Sequence, residues 1–188
     1  MTTEKKEILD HVMIDLETLS LGGNAVILSI GAVAFDKHGL LKTFYRKIDL
    51  NSTISKGFDI EADTLYWWMK QDKKVLEELT EDVHGIESVL VEFARWLPDE
   101  AFIWGNGAAF DNPVLKNAYK KLNVCKVPWE HWNDRCYRTV KNMFSCVKAR
   151  RVGDHHNALD DAKTQALHLI QINDYVVESG LEDKVKIL

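Results

Sequence analysis

Residues 11–50 read HVMIDLETLSLGGNAVILSIGAVAFDKHGLLKTFYRKIDL, and three apolar runs within them decide the fold class. HVMIDLE and AVILSIGAVAFD are rich in Val, Ile and Ala, and TLSLGGN between them carries turn-forming Gly and Asn. LLKTFYRKIDL alternates as a third strand, with Asp36 to Gly39 as the connecting turn. An antiparallel three-stranded meander is the expected outcome.

Beyond the meander the period changes. From about Glu61 to Leu97, EADTLYWWMKQ, KKVLEEL and SVLVEFARWLP place apolar residues three or four apart, and Pro98 stops the last helix. AFIWG is a short strand. FDNPVLKNAYKKLN is a helix with Pro113 near its first turn, where a missing N–H costs little. Another short strand falls near Asn133 to Tyr137, and a long helix runs from Ala158 to about Glu178, with Leu159, Ala162, Ala166, Leu169 and Ile170 along one face. A meander followed by alternating helices and strands predicts an α/β fold. Its sheet is mixed and five-stranded, the meander joined by parallel strands and flanked by helices.

The 188 residues suit a single domain over 1–188, burying about 70% of the surface that the unfolded chain exposes. Cys125, Cys136 and Cys146 form no C-x-x-C pair, so neither a disulfide framework nor a structural zinc site is indicated. The opening MTTEKKEILD has no apolar stretch behind it, and no run approaches the roughly 20 residues of a membrane span. A cytoplasmic protein without a membrane partner is expected. The formal net charge of -5 argues against a broadly basic nucleic-acid coat but leaves room for a local basic groove.

Four acids stand where elements end. Asp15 and Glu17 leave the same face of the first strand, two positions apart. Burying such a pair is costly because each charge raises the other's proton affinity, and a divalent cation removes that penalty. Read alone, D-x-E is more often a solvated strand face. Asp111 follows AFIWG across the turn NGAAF, at the edge where an α/β sheet presents functional groups, although DNP is also a good helix start. In HHNALDDA, residues 155–162, helix geometry assigns Asp160 to a solvent stripe with Lys163, Thr164, Gln171 and Asp174. Asp161 falls at the border with the apolar stripe and is the better ligand. Positions five apart on a helix lie about 140° apart, so a histidine acting with Asp161 must precede the helix. VGDHHN supplies that loop, with Asn157 as N-cap, and offers His155 or His156.

Taken in order, Asp15, Glu17, Asp111, His156 and Asp161 resemble the DEDD exonucleases of the ribonuclease H-like superfamily, in the subgroup with histidine in the last motif. MIDLETLS is similar to the D-x-E-T motif, NGAAFD to H-N-x-x-F-D, and HNALDDA to H-x-A-x-x-D-A. LSIGAVAFD, WGNGAAFD and RCYRT look most like the small phage and prophage exonucleases grouped with the bacterial exoribonuclease AS branch. Two departures concern substrate detail: Asn106 and Gly107 replace the usual His-Asn, and Leu19-Ser20 follow Thr18 where Thr-Gly is common.

The resemblance implies a ribonuclease H-like fold and a 3′-5′ exonuclease that releases nucleoside monophosphates from single-stranded 3′ ends of DNA or RNA. Two Mg²⁺ or Mn²⁺ ions about 4 Å apart would be held by Asp15, Glu17, Asp111 and Asp161, and oxygen ligands suit these hard ions. His156 becomes the general base. The Leu16 backbone and Thr18 receive the terminal nucleotide, Leu19 and Phe110 lie against bases, and Asn106 joins the substrate contacts. Lys148, Arg150 and Arg151 are candidates for phosphate binding, and Arg135 and Arg138 are weaker ones. Tyr66 to Met69, the YWWM run, is read as helix packing more than as a stacking platform, and Ser29 to Ala34 as core strand. A homodimer is implied by resemblance alone. Two other readings share the residues: a phosphodiesterase specific for short RNA oligonucleotides, and a catalytically weak nucleic-acid-binding module.

Overall fold

The computed structural model describes residues 11–107 and 109–188, so the opening MTTEKKEILD lies outside the described residues. The meander forms as expected, with β1 (His11–Thr18) antiparallel to β2 (Ile27–Asp36) and β2 antiparallel to β3 (Gly39–Ile48). β3 ends two residues earlier than the sequence pattern suggests, because Asp49 caps a short helix, α1 (Leu50–Ile54), by accepting from the N–H groups of Asn51 and Ser52. The helical stretch divides into α2 (Ala62–Trp68), α3 (Lys73–Thr80) and α4 (Ile86–Trp96).

Between α3 and α4 lies a two-residue strand, β4 (Val83–His84), which pairs parallel with β3 at the sheet edge. It is too short to show a period of two. β5 (Phe102–Gly105), α5 (Asp111–Leu122), β6 (Asp134–Cys136) and α7 (Ala158–Glu178) follow the predicted order. The unpredicted α6 (Tyr137–Met143) starts where the expected last strand was to end. Among the described residues the mixed sheet thus has six strands, not five, in the order β4-β3-β2-β1-β5-β6, with β5 parallel to β1 and β6 parallel to β5.

The strand period distributes the two cores. Val12, Ile14 and Leu16 of β1 join a cluster with α4 and α5, while Met13 points the opposite way into a cluster with Ala162, Ala166 and Leu169 of α7. β2 is buried from Ile27 to Phe35 because helices cover both faces. Gly31 lets α7 come that close: a Cβ there would lie 2.1 Å from the backbone carbon of Ala158. Gly31 is also the register partner of Asp15. Among the described residues, no helix is long and apolar enough to cross a membrane.

Candidate active site

The four acids converge at the C-terminal end of β1 from three elements. Asp15 and Glu17 project from β1 on the side of α7, Asp111 opens α5, and Asp161 sits in the first turn of α7. Asp15, Glu17 and Asp161 each offer an oxygen within 4.8 Å of the others. Asp111, 3% exposed, is fixed beside them by two backbone donors, Leu16 N–H to Oδ1 (3.3 Å) and Asn106 N–H to Oδ2 (2.9 Å). The tight strand-to-helix turn needs Gly105, where a Cβ would meet Asn112 Oδ1 at 2.9 Å and Asp111 Cβ at 3.1 Å.

Burial raises the proton affinity of three of these groups, and crowding adds to it for two. Burial, followed by repulsion from Asp111, Glu17 and Asp161, holds Asp15 well above the usual carboxylate range. Burial and then Asp161 and Asp111 push Glu17 up to about 8, with Arg151 opposing. For Asp111 burial leads and raises it to about 6, against the backbone bonds from Asn106 and Leu16 and the charge of Arg138. Left to itself, Glu17 would hold its proton at neutral pH. A compact set of hard oxygen donors with excess negative charge fits a divalent cation such as Mg²⁺ or Mn²⁺.

Two polar side chains that sequence reasoning left out, or aimed elsewhere, bind the acids directly. Gln165, 6% exposed, donates from Nε2 to Asp15 Oδ1 (2.7 Å), while its buried Oε1 has no partner among the described residues. It lies four positions after Asp161, the spacing that puts both on one helix face, so the signal was present. Arg151 pairs through Nη1 with Asp161 Oδ1, and its buried Nε and Nη2 have no partner among the described residues. Arg150, its neighbour in the chain, is exposed, and among the described residues it forms no ion pair with the acids.

A cleft of about 400 Å³ opens beside Glu17, lined by Leu16, Thr18, Leu21, Trp67 and Phe110 among others. Trp68 ties its wall to the strand by donating from Nε1 to the carbonyl of Thr18 (2.8 Å). The YWWM run therefore has two roles: Trp68 is core at 4% exposure, whereas Trp67 is 43% exposed and forms part of the cleft. The hydroxyl of Thr18 donates to the Ser20 carbonyl (2.7 Å). Leu19 departs from expectation, since it is 6% exposed and lines an apolar cavity with Leu28, Leu65 and Leu76, not the cleft beside Glu17.

His156 stands beside the cleft with its ring edge-to-face against Trp67, centroids 4.9 Å apart. Its backbone is left-handed, φ +63°, a conformation that costs about 1 kcal/mol and is held by its surroundings. Asp160 supplies much of that hold. It is not on a solvent stripe: its side chain is only 22% exposed, and it accepts from the N–H of Asp154 (3.0 Å) and from Lys163 Nζ (3.1 Å). Gly153, φ +68°, packs so closely that a Cβ would lie 2.0 Å from Asp160 Oδ2. Asn157 caps α7 and donates to Glu78 Oε1 (3.0 Å), fixing the other end of the loop.

Of the weaker candidates, Arg135 is occupied. It donates to the carbonyls of Trp132 and Asp134 and stacks 4.2 Å over Phe102. Arg138 is exposed beside the turn that holds Asp111, with Nε 3.5 Å from Asn106 Oδ1.

Comparison with known proteins agrees with this arrangement. Solved structures with the same fold include the nuclease domain of 3′hExo, a DEDDh family member bound to rAMP, with TM-score 0.58, 14% identity and 94% of both chains covered. Exonuclease X in complex with 5′ overhanging duplex DNA has TM-score 0.57 and 19% identity over 90% of this chain and 92% of that one. S. pombe Pop2p in its Mg²⁺- and Mn²⁺-bound form has TM-score 0.61 and 12% identity over 89% and 84%. At these identities the likeness shows the fold, which is ribonuclease H-like. The exodeoxyribonuclease of Enterobacteria phage T4 is 24% identical over an alignment of 216 positions, gaps included, that covers 91% of each chain. A family profile described as the 3′-5′ exoribonuclease Rv2179c-like domain matches residues 10–173. With its acids gathered at one strand end and that profile spanning them all, the chain belongs to the Rv2179c-like family of exonucleases.

Proposed function

We propose that this protein is a metal-dependent exonuclease that releases nucleoside 5′-monophosphates from single-stranded 3′ ends by a two-metal mechanism. The observation that carries the reading is the cluster of Asp15, Glu17 and Asp161 oxygens within 4.8 Å, with Asp111 beside them, opening on a cleft of about 400 Å³. In this reading Asp15, Glu17, Asp111 and Asp161 hold two Mg²⁺ or Mn²⁺ ions. Bound there, such ions supply positive charge that lowers the pKa of the attacking water and stabilises the leaving 3′ oxygen.

The chain's own groups do the rest. Leu16, Phe110 and Trp67 enclose the terminal nucleoside, and the narrow cleft admits an unpaired end more readily than a duplex. His156, its ring fixed by Trp67, takes the proton of the water that attacks phosphorus. Gln165 keeps Asp15 turned toward the cluster. Arg151 reaches the acids from the adjacent loop, and its two unpartnered nitrogens offer donors for a non-bridging phosphate oxygen.

The names of the relatives divide between RNA and DNA, the profile being of an exoribonuclease and the phage relative an exodeoxyribonuclease. Incubating matched 3′- and 5′-labelled strands of each with Mg²⁺ or Mn²⁺ tests the proposal. Mononucleotides lost from the 3′ end are expected, and EDTA stops their release. Release from the 5′ end alone, or binding with no release in Mn²⁺, would sink it.

A further inference from the structure

Between Asp134 and Asp154 the sequence RCYRTVKNMFSCVKARRVG holds six Lys or Arg and no Asp or Glu, in a chain of net charge -5. With 29 acids over 188 residues, a run of 19 would hold about three by proportion. The chain's acidity is thus excluded from one segment. That segment spans the site, since Arg138 near its start lies beside the Asp111 turn and Arg151 near its end pairs with Asp161.

Among the described residues the cations between these anchors have no acidic partner, and Lys141 rests over the Tyr137 ring at 5.9 Å. Lys141, Lys148 and Arg150 are exposed, and none is in an ion pair among the described residues. Lys141 is one turn after Arg138 on α6, on the same helix face. Lys148 and Arg150 are three residues and one residue from Arg151, within about 10 Å along even an extended chain. Clustered like charges repel one another when nothing neutralises them, whereas a polyanion releases counterions from each one it meets.

We propose that Lys141, Lys148 and Arg150 form a docking strip for backbone phosphates upstream of the terminal nucleotide, so that the preferred substrate is a strand of several nucleotides and not a dinucleotide. This rests on the exonuclease reading above. The strip contacts phosphates and carries no base selectivity, which suits an enzyme that shortens strands of any sequence.

The test compares the wild-type chain with Lys148→Ala/Arg150→Ala, both side chains being exposed. Turnover is measured on a dinucleotide and on a 20-mer, and binding of a phosphorothioate 20-mer is followed by anisotropy over a range of salt. The double variant is expected to lower the 20-mer to dinucleotide ratio of kcat/KM about tenfold, through KM on the longer strand. The slope of log K against log salt should fall by about 1.4, as two phosphate contacts on a single strand give. An unchanged ratio and slope would overturn the strip. If the wild-type chain released no mononucleotide from either substrate, the proposed activity would fall instead, and the salt slope would still decide the strip.

Discussion

His11, Met13, Asp15 and Glu17 alternate along one face of β1, and the two ends of that face treat buried polar groups in opposite ways. At the first end, His11 is packed among Phe35, Phe102 and Trp104, and its Nδ1 accepts from Trp104 Nε1 at 2.9 Å. Burial, with Arg135 and Lys186 adding to it, lowers its pKa to about 4, so the ring is neutral and its acceptor satisfied. At the other end, four carboxylates share one space, and burial followed by repulsion from the neighbouring acids raises the proton affinities of Asp15 and Glu17. Four neutral residues there would pack with less penalty. A fold that resolves the first problem internally and leaves the second unresolved reserves the second end for a ligand of opposite charge.

Substitution at the acid end gives the largest separation between stability and activity. Asp15→Asn is expected to lower turnover by at least about 10³-fold, since it removes a ligand charge. It should also relieve repulsion, so that the melting temperature in EDTA rises by about 2–4 °C. A variant that is both active and no more stable in EDTA would break the comparison. Next in size is Gly31→Ala, which places a methyl group on the backbone of Ala158. Separating α7 from β2 should cost about 3 kcal/mol in denaturant unfolding and withdraw Asp161 from Asp15, lowering turnover beyond the loss of folded protein.

The two ends should also respond to pH with opposite signs. His11 has a folded pKa of about 4, below its ordinary value of 6.5. Its contribution is therefore present above 6.5 and is lost as pH falls toward 4, up to about 3 kcal/mol. Glu17 and Asp111 are raised, to about 8 and about 6. Their contribution is present below the ordinary carboxylate range and is lost as pH rises through 6 and then 8. Over the shared window from about pH 4 to 6 the two acids outweigh the histidine, so stability in EDTA should fall as pH rises from about 4 to 8. Mn²⁺ should abolish that fall and uncover the histidine's loss on the acid side, which His11→Phe should remove. An alkaline limb that persisted in saturating Mn²⁺ would separate the acids from metal binding.

The legibility of this site follows from which signals are local. Strand alternation, the apolar stripe of α7 and the Asp15, Glu17, Asp111 and Asp161 positions are written in short-range spacing, and the structure brings those four together. β4 is two residues long and α1 depends on the cap at Asp49, so neither had a period to read. Leu19 illustrates a different limit: its motif position implied a base contact, but the turn after β1 folds it inward behind Trp68. Gly31 read as core strand because its importance lies in the helix that crosses it, a contact more than 120 residues away in sequence. Trp67 and Trp68 are adjacent and chemically identical, and only the packing of α2 tells wall from core.

Asp160 offers the finest test, because the sequence placed it on solvent and the structure makes it the brace of the histidine loop. Its carboxylate accepts the Asp154 N–H, excludes any side chain at Gly153 and so sets the chain leading to His156. Asp160→Ala should leave Mn²⁺ affinity intact while lowering kcat about tenfold, since a displaced base weakens proton transfer without emptying the metal ligands. Asp160→Asn, whose amide oxygen still accepts that hydrogen bond, should recover most of the rate. His155→Ala should alter kcat least of all, for His155 is exposed and faces the neighbouring cavity with Tyr45 and Lys74. Isothermal titration with Mn²⁺ beside steady-state rates resolves the two aspartates. A loss of metal affinity in Asp160→Ala equal to that in Asp161→Asn would mean that residue 160 is a ligand and the brace is not its function.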